Sequence, residues 1–347
     1  MSGADEVVVH ESRPVRVLVG PEASALVADE VARLGARRVL LVAAPSAAGA
    51  ADRIAGALGE RLAARFDRPE PHTPVAVTAR ALEAAPGADC AVAIGGGSAI
   101  GLAKAVSART GIPQVAVPTT YAGSEMTPVL GETEDGVKTT RRAPGLAPGT
   151  VVYDPLLTLG MPAGLTRTSA VNALAHAVEA MWAPDATAVS DALATEAAAG
   201  ILGALPAVLD DPAGPVERAR LQSAAWLAGM CLAQTRMGLH HQLAHVLGGA
   251  FGLPHAELHT MLLAHVMAFN LPSAPAASAR LARVAGPDPV AVVAALARAH
   301  RGPTRLSALG VPRERLREMA ERVAADPYPN PRPPDADAVA ELLDAMW

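Results

Sequence analysis

The sequence predicts an α/β domain built on a parallel sheet over residues 1–160, joined to an all-helical domain over residues 161–347. Three observations carry this. Between Val15 and about Val117, short aliphatic runs alternate with Ala-rich stretches, the pattern of parallel strands covered by crossover helices. Beyond Leu159 the strand signals vanish, and Ala, Leu and Met recur at helical spacing. Between the two regimes stands MPAG, at 161–164, a Pro-Gly break suited to a boundary.

The strand candidates are VRVLVG at 15–20, RRVLLVAA at 37–44, CAVAIGGG at 90–97 and QVAVPTT at 114–120, each too short and too apolar for a surface helix. Helices are expected between them. ASALVADEVARLGA opens after Pro21, ADRIAGALGERLAARF runs to about Asp67, and VTARALEAAPGA stops at Gly87. In the second half, DDPAGP at 210–215, GLP at 252–254 and YPNPRPPD at 328–335 separate successive helices. No repeat of 20 to 50 residues is present, which excludes a solenoid.

Composition narrows the function. At 347 residues and 51% apolar, the chain is long enough for two cores, and its net charge of −5 is the opposite of a nucleic-acid footprint. With three Trp, three Tyr and three Phe, the cores must be packed from small aliphatic side chains. Cys90 and Cys231, far apart in apolar surroundings, read as buried thiols of a reducing compartment. The N-terminus MSGADEVVVHE carries acidic residues where a signal peptide needs basic ones, and no apolar run is expected to reach membrane length. A cytoplasmic protein without membrane or nucleic-acid partners is expected. Lys104 and Lys138 are the only lysines among 29 basic residues, and both lie in the segment richest in motifs.

The segment CAVAIGGGSAIGLAK joins a buried strand to a helix through Gly95, Gly96 and Gly97, followed by Ser98. Glycines there let the backbone approach a pyrophosphate, while Ser98 and the N–H groups of the first helical turn supply donors at the positive end of the helix dipole. VPTTYAGSEMT, at 117–127, offers Thr119, Thr120, Tyr121 and Ser124 at the same carboxyl edge of the sheet, where ligands bind in open parallel sheets. A dinucleotide is therefore the expected cofactor. NADH is the first choice, but Pro45 and Ser46 stand where an acidic residue would grip an adenine ribose 2′-hydroxyl, so NADPH stays open.

Seven of the ten histidines fall between 176 and 265. Asn172, His176 and Glu179 share one helical face, His241 and His245 lie one turn apart, and His255 and His259 repeat that spacing. Three such stretches can converge on one point. Imidazoles at this spacing ordinarily suggest zinc or iron, yet the anionic ligand is missing because position 172 is a neutral Asn, and use of the histidines without a metal is the favoured reading.

The motifs GGGSAIGLAKA, VPTTYAGSEMTP, KTT at 138–140, VVYDPLLTLGMP, NALAHAVEA, GLHHQLAHVLGGAFGLPHAELHT and DPYPNPRP together resemble the iron-containing alcohol dehydrogenase superfamily, whose fold is shared with dehydroquinate synthase. The resemblance covers nearly the whole chain. The superfamily's metal ligands would fall on Asn172, His176, His241 and His255, and the Asn makes the chain similar to the maleylacetate reductase branch, where a metal is not considered essential. Gln242 and Ala264 depart from that branch's usual Lys and Pro. The resemblance implies a homodimer and NAD(P)H-dependent reduction of the conjugated double bond of maleylacetate to 3-oxoadipate in aromatic-compound degradation.

That reaction needs a hydride donor, partners for two carboxylates and a group that manages an enolate and its proton. His241 and His245 are the first candidates for the last task, with His176 and His255 framing the pocket. Lys138 is placed near the nicotinamide or a carboxylate, and Arg141, Arg142 and Arg236 are the candidate carboxylate partners, with Asn172 lining the substrate. The alternatives are a metal-dependent alcohol or aldehyde dehydrogenase, a reductase of another enone or ketone in a biosynthetic pathway, a lyase resembling dehydroquinate synthase, and a nucleotide-binding protein without turnover.

Overall fold

The computed structural model describes residues 10, 15–326 and 328–347, with Lys138 described in its backbone alone. The expectation drawn from MSGADEVVVHE lies outside the described residues, apart from His10. Six parallel strands form the main sheet: β1 (Arg16–Val19), β2 (Val39–Ala43), β3 (Leu62–Phe66), β4 (Cys90–Gly95), β5 (Gln114–Pro118) and β8 (Thr150–Tyr153). Between the last two comes an antiparallel hairpin, β6 (Val129–Glu134) and β7 (Val137–Arg142).

The sheet order is β1-β8-β5-β4-β2-β3. The chain moves outward from β2 to β3 and then returns to the other side of β2, so the order reverses between β2 and β4. Open parallel sheets bind ligands in the crevice outside such a reversal. The side-chain period of two decides which layer covers which face. Val39, Leu41 and Ala43 of β2 and Val92 and Ile94 of β4 point to α1 (Val27–Arg33) and α2 (Ala48–Leu58), through Val27, Val31 and Ile54. Leu40 and Val42 point the other way, to Val77 and Ala81 of α3 (Val75–Ala84) and Ala99, Leu102 and Val106 of α4 (Gly97–Thr110).

Two local expectations are corrected. The helix ADRIAGALGERLAARF ends at Leu58, because Gly59 takes a positive φ of 55°, and LAARF becomes the edge strand β3, paired with β2. Pairing along a sheet edge overrides the helical preference of Ala and Arg. The KTT segment lies in β7 of a hairpin that the strand reading omitted, turned by Asp135 and Gly136 at φ 49° and 78°.

The remaining helices are α5 (Ala163–Ala180), α6 (Ala188–Asp210), α7 (Pro215–Gln234), α8 (Leu239–Phe251), α9 (His255–Asn270), α10 (Pro275–Ala285), α11 (Pro289–Arg298), α12 (Leu316–Ala325) and α13 (Ala336–Met346). Helix α5 is buried from Ser169 to Ala180, and its Ala170, Ala173 and Ala177 let neighbouring helices approach closely. Helix α6 is long and apolar enough to cross a bilayer, contrary to the expectation that no run reaches that length, but it carries Asp191 and Glu196. Its Ala194, Ala197, Ile201, Leu205 and Val208 pack into the same core as α5. A side chain from the sheet domain also joins that core. Tyr121, just beyond β5, is fully buried there, its hydroxyl accepting from Nη1 of buried Arg218 at 3.3 Å.

Candidate active site

The glycine turn sits at the sheet reversal. Gly95 closes β4 at φ 146°, and a Cβ there would stand 2.6 Å from that of Ala44, the residue after β2. Only glycine lets the two strand ends meet so closely. At Gly96 a Cβ would stand 3.0 Å from Cγ2 of Thr120. Gly97 differs, because it opens α4, is exposed and has nothing within 4 Å of its Cβ position. Open space, half-buried Ser98 and the N–H groups of the first helical turn together fit a pyrophosphate.

The loop after β5 is divided. Thr119 donates its N–H to the Gly95 carbonyl at 3.0 Å, and Thr120 borders Gly96. Tyr121 is corrected as a cofactor residue, since its ring and hydroxyl belong to the helical core and its N–H donates to Ser169 Oγ at 2.8 Å. Ser124 is engaged from behind by fully buried Lys104, whose Nζ donates to the carbonyls of Ser124 (2.5 Å), Thr127 (2.8 Å) and Val129 (2.9 Å). Burial lowers that ammonium to about 7, against the opposing pull of the Glu125 carboxyl. Lys104 is thus a clasp between α4 and the loop.

The clasped loop reaches the histidines. At Gly123, with φ 79°, a Cβ would stand 3.3 Å from Nδ1 of His176. Two residues, Tyr121 and Ala122, therefore separate the contact with the glycine turn at Thr120 from the contact with the imidazoles at Gly123. His176 comes from α5, His240, His241 and His245 from α8, and His255 and His259 from α9. Ring centroids lie 5.0 Å apart for His176 and His241, 4.9 Å for His241 and His259, 6.4 Å for His241 and His245, and 6.0 Å for the stacked pair His245 and His255.

The cluster runs from solvent inward, with His245 exposed, His255 half-buried, and His176, His240, His241 and His259 buried. Burial, with neighbouring imidazoles adding to it, holds His176, His240 and His259 well below the usual histidine range. They are neutral at pH 7. His240 Nε2 lies 2.6 Å from His259 Nδ1, and His259 Nε2 lies 2.9 Å from His255 Nε2, so one proton bridges each contact. His240 joins the cluster although no spacing argument named it, and His259, paired with His255 by spacing, joins it without having been given a role. Spacing shows which rings share a helix face, not which ring nitrogens meet.

Asn172 Oδ1, His176 Nδ1 and His241 Nε2 are buried without a hydrogen-bond partner. As metal donors, they and His255 offer one neutral amide and three imidazoles, with no carboxylate to compensate a dication, and His255 Nε2 is already engaged by His259. Among the described residues no three His, Cys, Asp or Glu are arranged to hold an ion. The donor set thus lacks an anionic ligand.

The candidate arginines have partners of their own. Arg141 extends to Glu132 at 3.5 Å, and Arg142 donates to the Ala233 carbonyl and borders a cavity of about 340 Å³ shared with Asp185, Thr187 and Gln234 rather than the imidazoles. Arg236 is exposed and pairs with Asp185 at 3.4 Å. Lys138 sits in β7 opposite Thr133, and its side chain lies outside the described residues.

A glycine turn at a parallel-sheet reversal, facing a histidine cluster in a helical domain, defines a nicotinamide-dependent oxidoreductase. Residues 14–155 match the iron-containing alcohol dehydrogenase family and residues 166–347 match the C-terminal domain of the same family, so the chain belongs to it. The chain is 44% identical to maleylacetate reductase of Rhizobium sp. strain MTP-10005, over 98% of its own length and 97% of the relative's. It is 45% identical to maleylacetate reductase 1 of Rhodococcus opacus, over 98% and 96%. The crystal structure of maleylacetate reductase from Agrobacterium tumefaciens superposes with a TM-score of 0.93 at 42% identity, covering 99% of this chain and 98% of that one.

Proposed function

We propose that this protein reduces maleylacetate to 3-oxoadipate with NADH, NADPH being the alternative donor, and that it does so without a bound metal. The observation that carries the reading is the imidazole cluster beside Asn172, a neutral amide that brings no charge to compensate a dication. The similarity to maleylacetate reductases supports the substrate.

The reduced nicotinamide supplies hydride to the alkene carbon β to the ketone. Gly95, Gly96, Gly97, Ser98 and Thr120 would hold the cofactor at the sheet reversal, and the loop from Thr119 to Ser124 links that turn to His176 of α5. His241 Nε2, buried and unpartnered, is assigned to the enolate and its proton, and Asn172 Oδ1 and His176 Nδ1, buried without partners as well, to the substrate beside it. Exposed His245 and half-buried His255, at the outer end of the cluster, are assigned to a substrate carboxylate. Buried free thiols at Cys90 and Cys231 support a cytoplasmic setting. We also propose a homodimer, because among the described residues β1 pairs with β8 on one side alone and presents an edge that a second copy would cover.

The test is steady-state oxidation of NADH and NADPH with maleylacetate and with simple aldehydes, in chelator and in added Zn²⁺ or Fe²⁺. Turnover of maleylacetate unaffected by chelator is expected. Turnover of aldehydes alone, restored by metal, would replace this reading with a metal-dependent alcohol dehydrogenase.

A further inference from the structure

Glu179, one turn after His176 on α5, is fully buried, and four donors converge on it. Its Oε1 accepts the N–H of His240 at 2.9 Å, and its Oε2 accepts the N–H of Gly238 at 3.0 Å and, more weakly, that of His241 at 3.4 Å. Oε2 also lies 2.6 Å from Nδ1 of His241. One carboxylate therefore caps α8 and holds an imidazole of that helix.

The surroundings are built for this arrangement. A Cβ at Gly238 would stand 2.7 Å from the Pro329 carbonyl and 3.1 Å from Glu179 Oε1, so glycine is what lets the backbone come this close. Asn330 Oδ1 accepts the N–H of Leu239 at 3.4 Å and an amide N–H of Asn270 at 2.9 Å, which closes the far side of the helix end. The YPNPRP segment thereby covers the α8 entrance and keeps water from the carboxylate.

We infer that Glu179 is a positioning residue: it holds a proton on Nδ1 of His241 and fixes the ring, so that the proton His241 passes to the enolate leaves from Nε2 alone. The backbone N–H groups leave Glu179 oxygens as acceptors, and an acceptor 2.6 Å from Nδ1 requires that nitrogen to carry hydrogen. Nε2 is then the nitrogen without a partner, as observed. A carboxylate that orients a reacting imidazole in this way acts on tautomer and ring angle and touches no reacting atom. The inference rests on the assignment of His241 to catalysis.

Two measurements on the intact protein test it. With ¹⁵N-labelled histidine, long-range ¹H–¹⁵N correlation spectra should show His241 as the Nδ1–H tautomer, with its signals identified by their loss in His241→Gln. In Glu179→Ala the acceptor is lost, so His241 should no longer be held as the Nδ1–H tautomer and its Nε2–H form should appear. Its kcat with maleylacetate should fall about 10- to 100-fold, while KM for NADH and for maleylacetate stays within about two-fold. An Nε2–H tautomer in the unsubstituted protein would overturn the inference, as would an unchanged kcat, or a fall in kcat with the tautomer unchanged. If the unsubstituted protein fails to turn over maleylacetate, the proposed function fails, and the tautomer spectra still decide the role of Glu179.

Discussion

Nε2 of His240 lies 2.6 Å from Nδ1 of His259, and neither imidazole is exposed to solvent. Each ring is held neutral chiefly by burial, as is His176. In the unfolded chain these three groups titrate near the ordinary 6.5. Their folded affinities for protons are lower, so below pH 6.5 the unfolded state binds more protons than the native state and stability falls as pH falls. Above that range they contribute no pH dependence. Urea unfolding at pH 8, 7, 6 and 5 should therefore show a decline that begins near pH 6.5, ahead of carboxylate protonation. Stability that is level or rising from pH 6.5 to 5 would contradict the buried, neutral cluster.

Gly97 separates cofactor binding from folding. Nothing occupies the space of its absent Cβ, and its position at the start of α4 favours a negative charge through the helix dipole. Gly97→Asp should leave the melting temperature unchanged or slightly raised. The new carboxylate would face the bound pyrophosphate, and the Kd for NADH in a fluorescence titration should rise about ten-fold or more, since about 1.4 kcal/mol of repulsion suffices. An unaltered Kd would move the cofactor away from this turn.

Tyr121 should behave as a core residue. Its hydroxyl accepts from Arg218 inside the helical domain. Tyr121→Phe should cost about 1 to 3 kcal/mol of stability, because a buried cation loses an acceptor. The KM for NADH should stay within about two-fold. A selective rise in that KM at unchanged stability would return the hydroxyl to the cofactor.

How far the sequence carries the account depends on how local each signal is. Strands β2, β4 and β5 are buried on both faces, so their unbroken aliphatic runs identify them, and the helix breaks at 210–215 and 252–254 are written in Pro and Gly. Strand β3 is stabilised by its partner β2, and no residue within LAARF announces that partner. The β6–β7 hairpin has polar strands, although its Asp135-Gly136 turn is a local signal that sequence reading can use. Histidine spacing is equally local and brings His176, His241, His245 and His255 together. The destinations of Tyr121, Arg141 and Arg142 are set by Arg218, Glu132 and Ala233, each contributed by another segment.

The central claim is that imidazoles opposite the glycine turn direct hydride to the conjugated double bond. The most direct measurement is the position of the label after turnover of maleylacetate with NADH deuterated at the transferring face, read by NMR of the product. One deuterium on the methylene carbon β to the ketone of 3-oxoadipate, with one NADH consumed per product, is predicted. Deuterium on a carbinol carbon, with the double bond intact, would contradict it and identify a carbonyl reductase.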